Sequence, residues 1–206
     1  MAGHILIYPT YFPSIATMVA IAKADCITLE VCDNYQKQTY RNRAYIAHSN
    51  GKLLLNIPVK HSKKEQHQKT KDVVPENDFP WLAEHWKSIE TAYRTSPYFE
   101  YYEDDIAPLF ETTIKNLLDF NIQILETLLD LLGIEIDIQK SETYHKETTL
   151  IDRRSLAVCK KEPSFGFTAY HQVFEANHGY LENLSCIDLL FNEGPNTLEY
   201  LENQSL

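Results

Sequence analysis

Two short apolar runs separated by one helix-length segment constrain the fold more than any other feature of this chain. Residues 5–7 are apolar, end at Tyr8-Pro9 and predict a buried strand. Ser14 can cap a following helix, and residues 26–31 predict a second strand. A strand, a helix and a strand within roughly 30 residues indicate a βαβ unit. Such units bind ligands at the carboxyl ends of their strands, where residues 8–13 would lie.

The rest of the chain predicts a β-rich beginning and a helical continuation. Asn50-Gly51 is a turn signal between two β-like runs and predicts a hairpin. A broad apolar stripe predicts a helix over about 111–132, closed by Gly133. We therefore expect an α/β fold in which the βαβ unit and the hairpin form a mixed sheet, with a largely helical second half. A single domain over residues 1–206 would comprise a β-rich part (1–75), a helical part (78–134), and mixed loops with C-terminal helices (135–206).

Composition narrows the class of function. The 206 residues carry a formal charge of −10, which argues against general nucleic-acid binding because phosphate contacts need a basic surface. The four cysteines form no C-x-x-C pair, and no carboxylates have metal-loop spacing, so we predict no metal site. No apolar run approaches the 18 residues of a membrane span. Free thiols favour a cytoplasmic location, and no motif points to a particular cofactor.

The pair Arg41 and Arg43, with Asn42 between them, is the first candidate binding feature. Two guanidinium groups on one face of a strand could hold a phosphate or a carboxylate through paired N–H donors. The alternative is a surface ladder, or an arginine buried against a structural carboxylate.

Tyr8 and Tyr11 belong to a proline-stiffened loop that could form the wall of a pocket under a sugar or a base, or be a packed turn. His178 could act as a general base because its unperturbed pKa suits proton transfer, although a lone histidine is more often structural. Asp188 could take the same role, or cap the helix that begins near Ser185. The basic stretch 60–71 favours a solvated loop over a mobile lid that meets an anionic substrate.

Several of these residues belong to an ordered series of motifs that resembles the WbqC-like family of bacterial proteins. The matching segments lie at residues 8–13, 40–43, 55–59, 81–86, 93–99, 119–121, 132–134, 170–174 and 181–195. The order and spacing of the motifs are kept over nearly the whole chain. In this pattern the sequence is most similar to the shorter family members from Bacteroides-type bacteria. Ile7-Tyr8 stand where many members carry His-Gln.

The resemblance implies a place among surface-polysaccharide (O-antigen-type) genes. It also implies roles for Arg41 and Asp188, and it adds four substrate-binding candidates: Asn42, Tyr170, Gln172 and Asn183. Two functions stay open at this point. One is an enzyme, such as a transferase that passes an acyl or aminoacyl group to an activated or carrier-linked amino sugar, with His178 or Asp188 as base. The other is a non-catalytic binding or assembly protein of the same pathway.

Overall fold

A βαβ unit opens the fold, as the sequence predicts. The structure is a computed structural model that describes residues 3–60 and 68–206. Strand β1 (His4–Ile7) leads into helix α1 (Ile15–Ala22), and strand β2 (Cys26–Leu29) pairs in parallel with β1. The side chain of Ser14 caps α1 by accepting a hydrogen bond from the amide of Thr17. The cap and the apolar helix face together fix the crossover on the sheet.

Two further strands complete a parallel sheet of four. Strand β5 (Asp137–Lys140) pairs with β2, and strand β6 (Ile151–Asp152) pairs with β1, which gives the order β5-β2-β1-β6. Strands β2 and β5 lie on one side of β1 in the sheet, and strand β6 lies on its other side. The strand order therefore reverses between β1 and β6, and such a switch point is where open α/β sheets bind ligands. The sequence predicts mixed loops in this part of residues 135–206, because both edge strands are too short to give a strand pattern.

The predicted hairpin is present, but it does not extend the parallel sheet. Strand β3 (Arg43–His48) and strand β4 (Gly51–Asn56) form a separate two-stranded antiparallel sheet. Gly51 has a φ of 109°, which the turn requires and which a side chain disfavours. The hairpin buries the face with Ala44 and Ile46 against the core, so its hydrogen-bonding edges do not meet those of β1. The α/β class and the helical second half are confirmed.

Three helices follow the hairpin and build most of the core. They are α2 (Trp81–Tyr93), α3 (Phe99–Ile106) and α4 (Leu117–Leu132). Helix α4 begins six residues later than the predicted start at 111, because the Asn116 side chain accepts from the amides of Leu118 and Asp119 and caps the helix there. Gly133 closes it in the left-handed conformation, as expected.

The last part of the chain returns to the sheet through α5 (Glu175–His178), α6 (Cys186–Glu193) and α7 (Thr197–Asn203). Helix α1 packs against both α6 and α7. Within residues 3–60 and 68–206, no helix has both the length and the apolar character needed to cross a membrane. Of the predicted basic loop 60–71, residues 61–67 lie outside the described residues.

Gly194, which ends α6, provides a test of this packing. A Cβ built on it would lie 2.5 Å from the ring of Tyr98, and its φ is 53°. We expect Gly194→Ala to lower the free energy of unfolding by about 3 kcal/mol, from backbone strain plus overpacking. Gly133→Ala, also at positive φ but with nothing within 4 Å, should cost about 1 kcal/mol. Urea unfolding of both variants measures the difference, and equal losses would contradict the packing described here.

Candidate functional site

A buried ion pair lies at the carboxyl end of β1. The guanidinium of Arg41 donates to Asp33 at 2.6 Å and covers the ring of Tyr8, with 3.7 Å between its central carbon and the ring centroid. The other carboxylate oxygen of Asp33 accepts a hydrogen bond of 2.5 Å from the hydroxyl of Thr70. Arg41 is only 1% exposed. Of the two readings of Arg41, this geometry matches the arginine buried against a structural carboxylate.

Arg41 and Arg43 do not form the strand-borne clamp that their spacing suggested. Strand β3 begins at Arg43, and Arg41 lies in the preceding turn. The two guanidinium groups still share one neighbour, the phenol of Tyr35. Burial raises the pKa of Tyr35 to about 12, and the charges of Arg41 and Arg43 partly oppose that rise. The Tyr35 hydroxyl and the Arg41 Nε are both buried without a hydrogen-bond partner among the described residues.

The outer face of the hairpin continues from this point. Arg43, Tyr45 and Ala47 are every second residue of β3, so their side chains lie on one face of the hairpin. Lys52 of β4 pairs directly with Ala47 and lies on the same face, which points away from the core. The Arg43 Nε donates to the Asn56 side chain at 3.2 Å. Its two terminal nitrogens make no hydrogen bond to any described residue, and the side chain is partly exposed.

A carboxylate from the far end of the chain completes this face. Asn183 donates to the Glu162 carboxylate at 2.9 Å and accepts from the amide of Ala16, in the first turn of α1, at 2.8 Å. Asn183 holds this position with a φ of 52°. A non-glycine residue in that region costs free energy and is concentrated at functional sites. Glu162 is thus held at a fixed place opposite the hairpin.

The two charged groups at this end have pKa values displaced in opposite directions. Burial raises the pKa of Glu162, although Tyr40, Lys52 and Asn183 oppose the rise. Burial also lowers the pKa of Lys52, while Glu162 and Glu182 oppose that change. Ionisable groups with displaced pKa values that act on each other are candidates for proton transfer. We call this surface the hairpin-face site and define it by Tyr35, Arg43, Tyr45, Lys52, Glu162 and Asn183.

Asp188, a predicted base or helix cap, does not cap α6. Ser185 is the N-cap of α6 without any side-chain capping bond, and Asp188 points into the core. Its carboxylate accepts from the hydroxyls of Tyr93 at 2.6 Å and Tyr170 at 2.5 Å. Gln172 donates to the Tyr170 hydroxyl at 3.0 Å. Burial raises the pKa of Asp188, and these hydrogen bonds oppose the rise. The capping interpretation is wrong, because side chains from α2 and residues 170–172 supply better partners for the carboxylate.

The other predicted residues are not part of the hairpin-face site, although Asn42 donates at 3.3 Å to the same Asn56 side-chain oxygen as Arg43. The Tyr11 hydroxyl is fully buried and lies 2.8 Å from the Nδ1 of His85, whose pKa burial lowers to about 4. Asn42 donates to the carbonyl of Ile57 at 3.0 Å. The two ring nitrogens of His178 face carbonyl oxygens, Nδ1 that of Gly179 at 2.8 Å and Nε2 that of His48 at 2.9 Å. Catalysis by His178 or Asp188 stays a prediction.

The hairpin-face site contains some of the predicted site residues and adds others. Arg43 and Asn183 were predicted, and both belong to the hairpin-face site. Tyr35, Tyr45, Lys52 and Glu162 were not, because none is part of a local motif and their partners are distant in sequence. In the described parts of the chain, no group of three histidine, cysteine or acidic side chains could hold a metal ion.

The neighbouring arginines give a matched test of the buried ion pair. Arg41→Ala should lower the free energy of unfolding by about 3–5 kcal/mol, because it leaves the buried Asp33 carboxylate without a cation. Arg43→Ala, on the partly exposed hairpin face, should change it by less than about 1 kcal/mol. Chemical unfolding of the two variants measures both values. A stable Arg41→Ala protein would contradict the structural role assigned to Arg41.

The raised pKa of Asp188 predicts how stability depends on pH. The folded protein binds this proton more tightly than the unfolded chain, so the contribution of Asp188 is lost as the pH rises from the ordinary aspartate pKa, about 3.9, through the raised value. Relative to wild type, Asp188→Asn should therefore gain stability as the pH rises above about 4. Unfolding curves across pH 4 to 8 measure this, with the exposed Asp130→Asn as control. A relative loss of stability with rising pH would contradict the assignment.

Comparison with known proteins agrees with the motif pattern. The chain is 25% identical over 194 residues to the uncharacterized protein Rv1507c of Mycobacterium tuberculosis, an alignment that covers 81% of this chain and 83% of that protein. No solved structure matches the chain. A model of the WbqC-like protein family matches residues 8–165. The chain therefore belongs to the WbqC-like protein family.

Proposed function

We propose that this protein is a group-transfer enzyme of bacterial surface-polysaccharide biosynthesis that passes an acyl or aminoacyl group from an anionic donor to the amine of a small acceptor, such as an amino sugar. One observation carries the proposal. Arg43, on the outer face of the hairpin, has terminal nitrogens without a hydrogen bond to the described residues, and Glu162, whose pKa burial raises, lies opposite that face. Burial raises the pKa of Tyr45, and the charges of Arg43 and Glu162 act on that pKa in opposite directions.

The Arg43 end suits an anionic group of the donor. Its terminal nitrogens can donate two parallel hydrogen bonds to a phosphate or a carboxylate. The Tyr35 hydroxyl lies close to the same charges and has no partner among the described residues, so it can add a third donor. The buried Arg41 contributes positive potential without direct contact, because its guanidinium is held by Asp33.

The Glu162 end suits proton transfer from the acceptor. The amine nitrogen would form a bond to the carbonyl carbon, and the bond from that carbon to its leaving group would break. Glu162 would take the proton that the amine loses, while Lys52 would stabilise the negative charge that develops on the carbonyl oxygen. A raised carboxylate pKa makes Glu162 a stronger base, and Asn183 orients it through α1.

The first experiment is a thermal-shift screen against nucleotide sugars, acyl-CoAs and nucleotides. A ligand at 100 times its Kd should add about 2.7 kcal/mol to the unfolding free energy. Arg43→Ala should lose the shift, and Lys87→Ala, on the exposed side of α2, should keep it. The absence of any shift, or a shift that survives in Arg43→Ala, would count against this site.

Glu162→Gln separates catalysis from binding. With the ligand class chosen by the screen, it should bind normally and lose about 10²–10⁴ of the turnover rate. Glu126→Gln, on the exposed face of α4, should behave as wild type. Binding without turnover in the wild-type protein would instead support a non-catalytic binding or assembly role in the same pathway.

A further inference from the structure

A second site lies on the sheet, away from the hairpin face. A cavity of about 250 Å³ lies between β1, β2 and the segment 141–150, which connects β5 to β6. It is at the carboxyl ends of the central strands and next to the switch point between β1 and β6. That is the position at which open α/β sheets bind ligands. The cavity shares no residue with the hairpin-face site.

A buried carboxylate faces this cavity without a cation. Glu30, which directly follows β2, is only 1% exposed and lines the cavity. Its Oε1 accepts hydrogen bonds from the amide of Cys32 and from the hydroxyl of Ser141, both at 2.8 Å. Its Oε2 makes no hydrogen bond to the described residues, and Glu30 forms no ion pair with them. A carboxylate buried in this way is costly unless a cation approaches it.

The remaining lining defines the kind of cation. Hydroxyl groups come from Thr28, Thr143 and Thr148, a second carboxylate comes from Glu142, and an imidazole comes from His145, whose Nε2 lies 2.8 Å from the Thr143 hydroxyl. No lysine or arginine is among the described residues of the lining, which disfavours phosphate or carboxylate ligands. The volume lies below the roughly 300–1,000 Å³ of pockets for drug-sized ligands. The ligand is therefore small, rich in hydroxyl groups and positively charged.

The wall of the cavity is fixed before any ligand binds. Arg154, which is 8% exposed, donates to the carbonyls of His145 and Lys146 at 2.8 Å each. It also forms an ion pair with Asp152 at 2.7 Å, at the end of β6. One guanidinium thus ties the segment 141–150 to the sheet. A wall held in this way reduces the ordering cost of binding.

We propose that this cavity binds the protonated primary amine of a small hydroxylated molecule, about the size of one sugar ring. The ammonium group pairs with the Glu30 Oε2, and the threonine hydroxyls contact the hydroxyl groups of the ligand. The apolar side chains of Leu6 and Leu150 contact its carbon face. This site is separate from the proposed transfer site and does not depend on it.

The test uses the full chain with D-glucosamine as probe and D-glucose as its uncharged counterpart, by calorimetry and amide NMR. Glucosamine should bind, with shifts at residues 28–30 and 141–150. Glucose should bind at least about tenfold more weakly, because it lacks the ammonium group. Equal binding of the two sugars, or no binding of glucosamine at millimolar concentration, would overturn the proposal.

Variants separate this site from the hairpin face. Glu30→Gln preserves the shape of the side chain and should weaken glucosamine binding by about tenfold or more. Thr148→Val, in the partly exposed wall, should weaken it less and serves if Glu30→Gln does not fold. Glu162→Gln should leave these shifts unchanged. Shifts at Tyr45 and Asn183 alone would place the amine at the hairpin-face site and overturn the second site, while leaving the transfer proposal intact.

Discussion

The buried ion pair between Arg41 and Asp33 is the contact on which the arrangement of the sites depends. It joins the two ends of the segment 33–41, which lies between β2 and β3. Hydrogen bonds from several other elements hold the backbone of this segment. The carbonyl of Arg41 accepts from the Asn121 side chain of α4 at 2.8 Å. The amide of Tyr40 donates to the carbonyl of Ala157 at 2.8 Å, and the carbonyl of Tyr40 accepts from the amide of Tyr11 at 2.8 Å. One short turn therefore joins the end of β1, helix α4 and the last third of the chain.

Tyr8 directly follows β1, whose Leu6 lines the sheet cavity, and it contacts Arg41. The guanidinium of Arg41 covers its ring, and the charge of Arg154 also acts on its hydroxyl. Burial raises its pKa to about 12, and the two arginines oppose the rise. The phenol is thus uncharged at neutral pH and separates the basic region beside the hairpin from the acidic cavity on the sheet. This division allows an anion and an ammonium group to be recognised on neighbouring parts of one small fold.

The sequence predicted the elements whose signals are local. The Ser14 cap, the Asn50-Gly51 turn and the Gly133 C-cap each act within a few residues, and each is present. The strands β5 and β6 escaped prediction because they are short edge strands with exposed polar side chains, defined by their partners and not by their own pattern. Glu162 escaped for the same reason, since its surroundings come from distant segments. The spacing from Ser185 predicted that Asp188 would cap a helix, but its carboxylate is buried and accepts hydrogen bonds from two tyrosines instead.

The position of β6 has a consequence for how the protein is made. Ile5 pairs with Ile151, so one edge of the central strand waits for a partner that is synthesised 146 residues later. At roughly 5–20 residues per second, that edge is unpaired for on the order of ten seconds on the ribosome. Non-local pairing of this kind slows folding, and unpaired strand edges invite association with other chains. The nascent chain therefore passes through an interval in which shielding by a chaperone would protect β1.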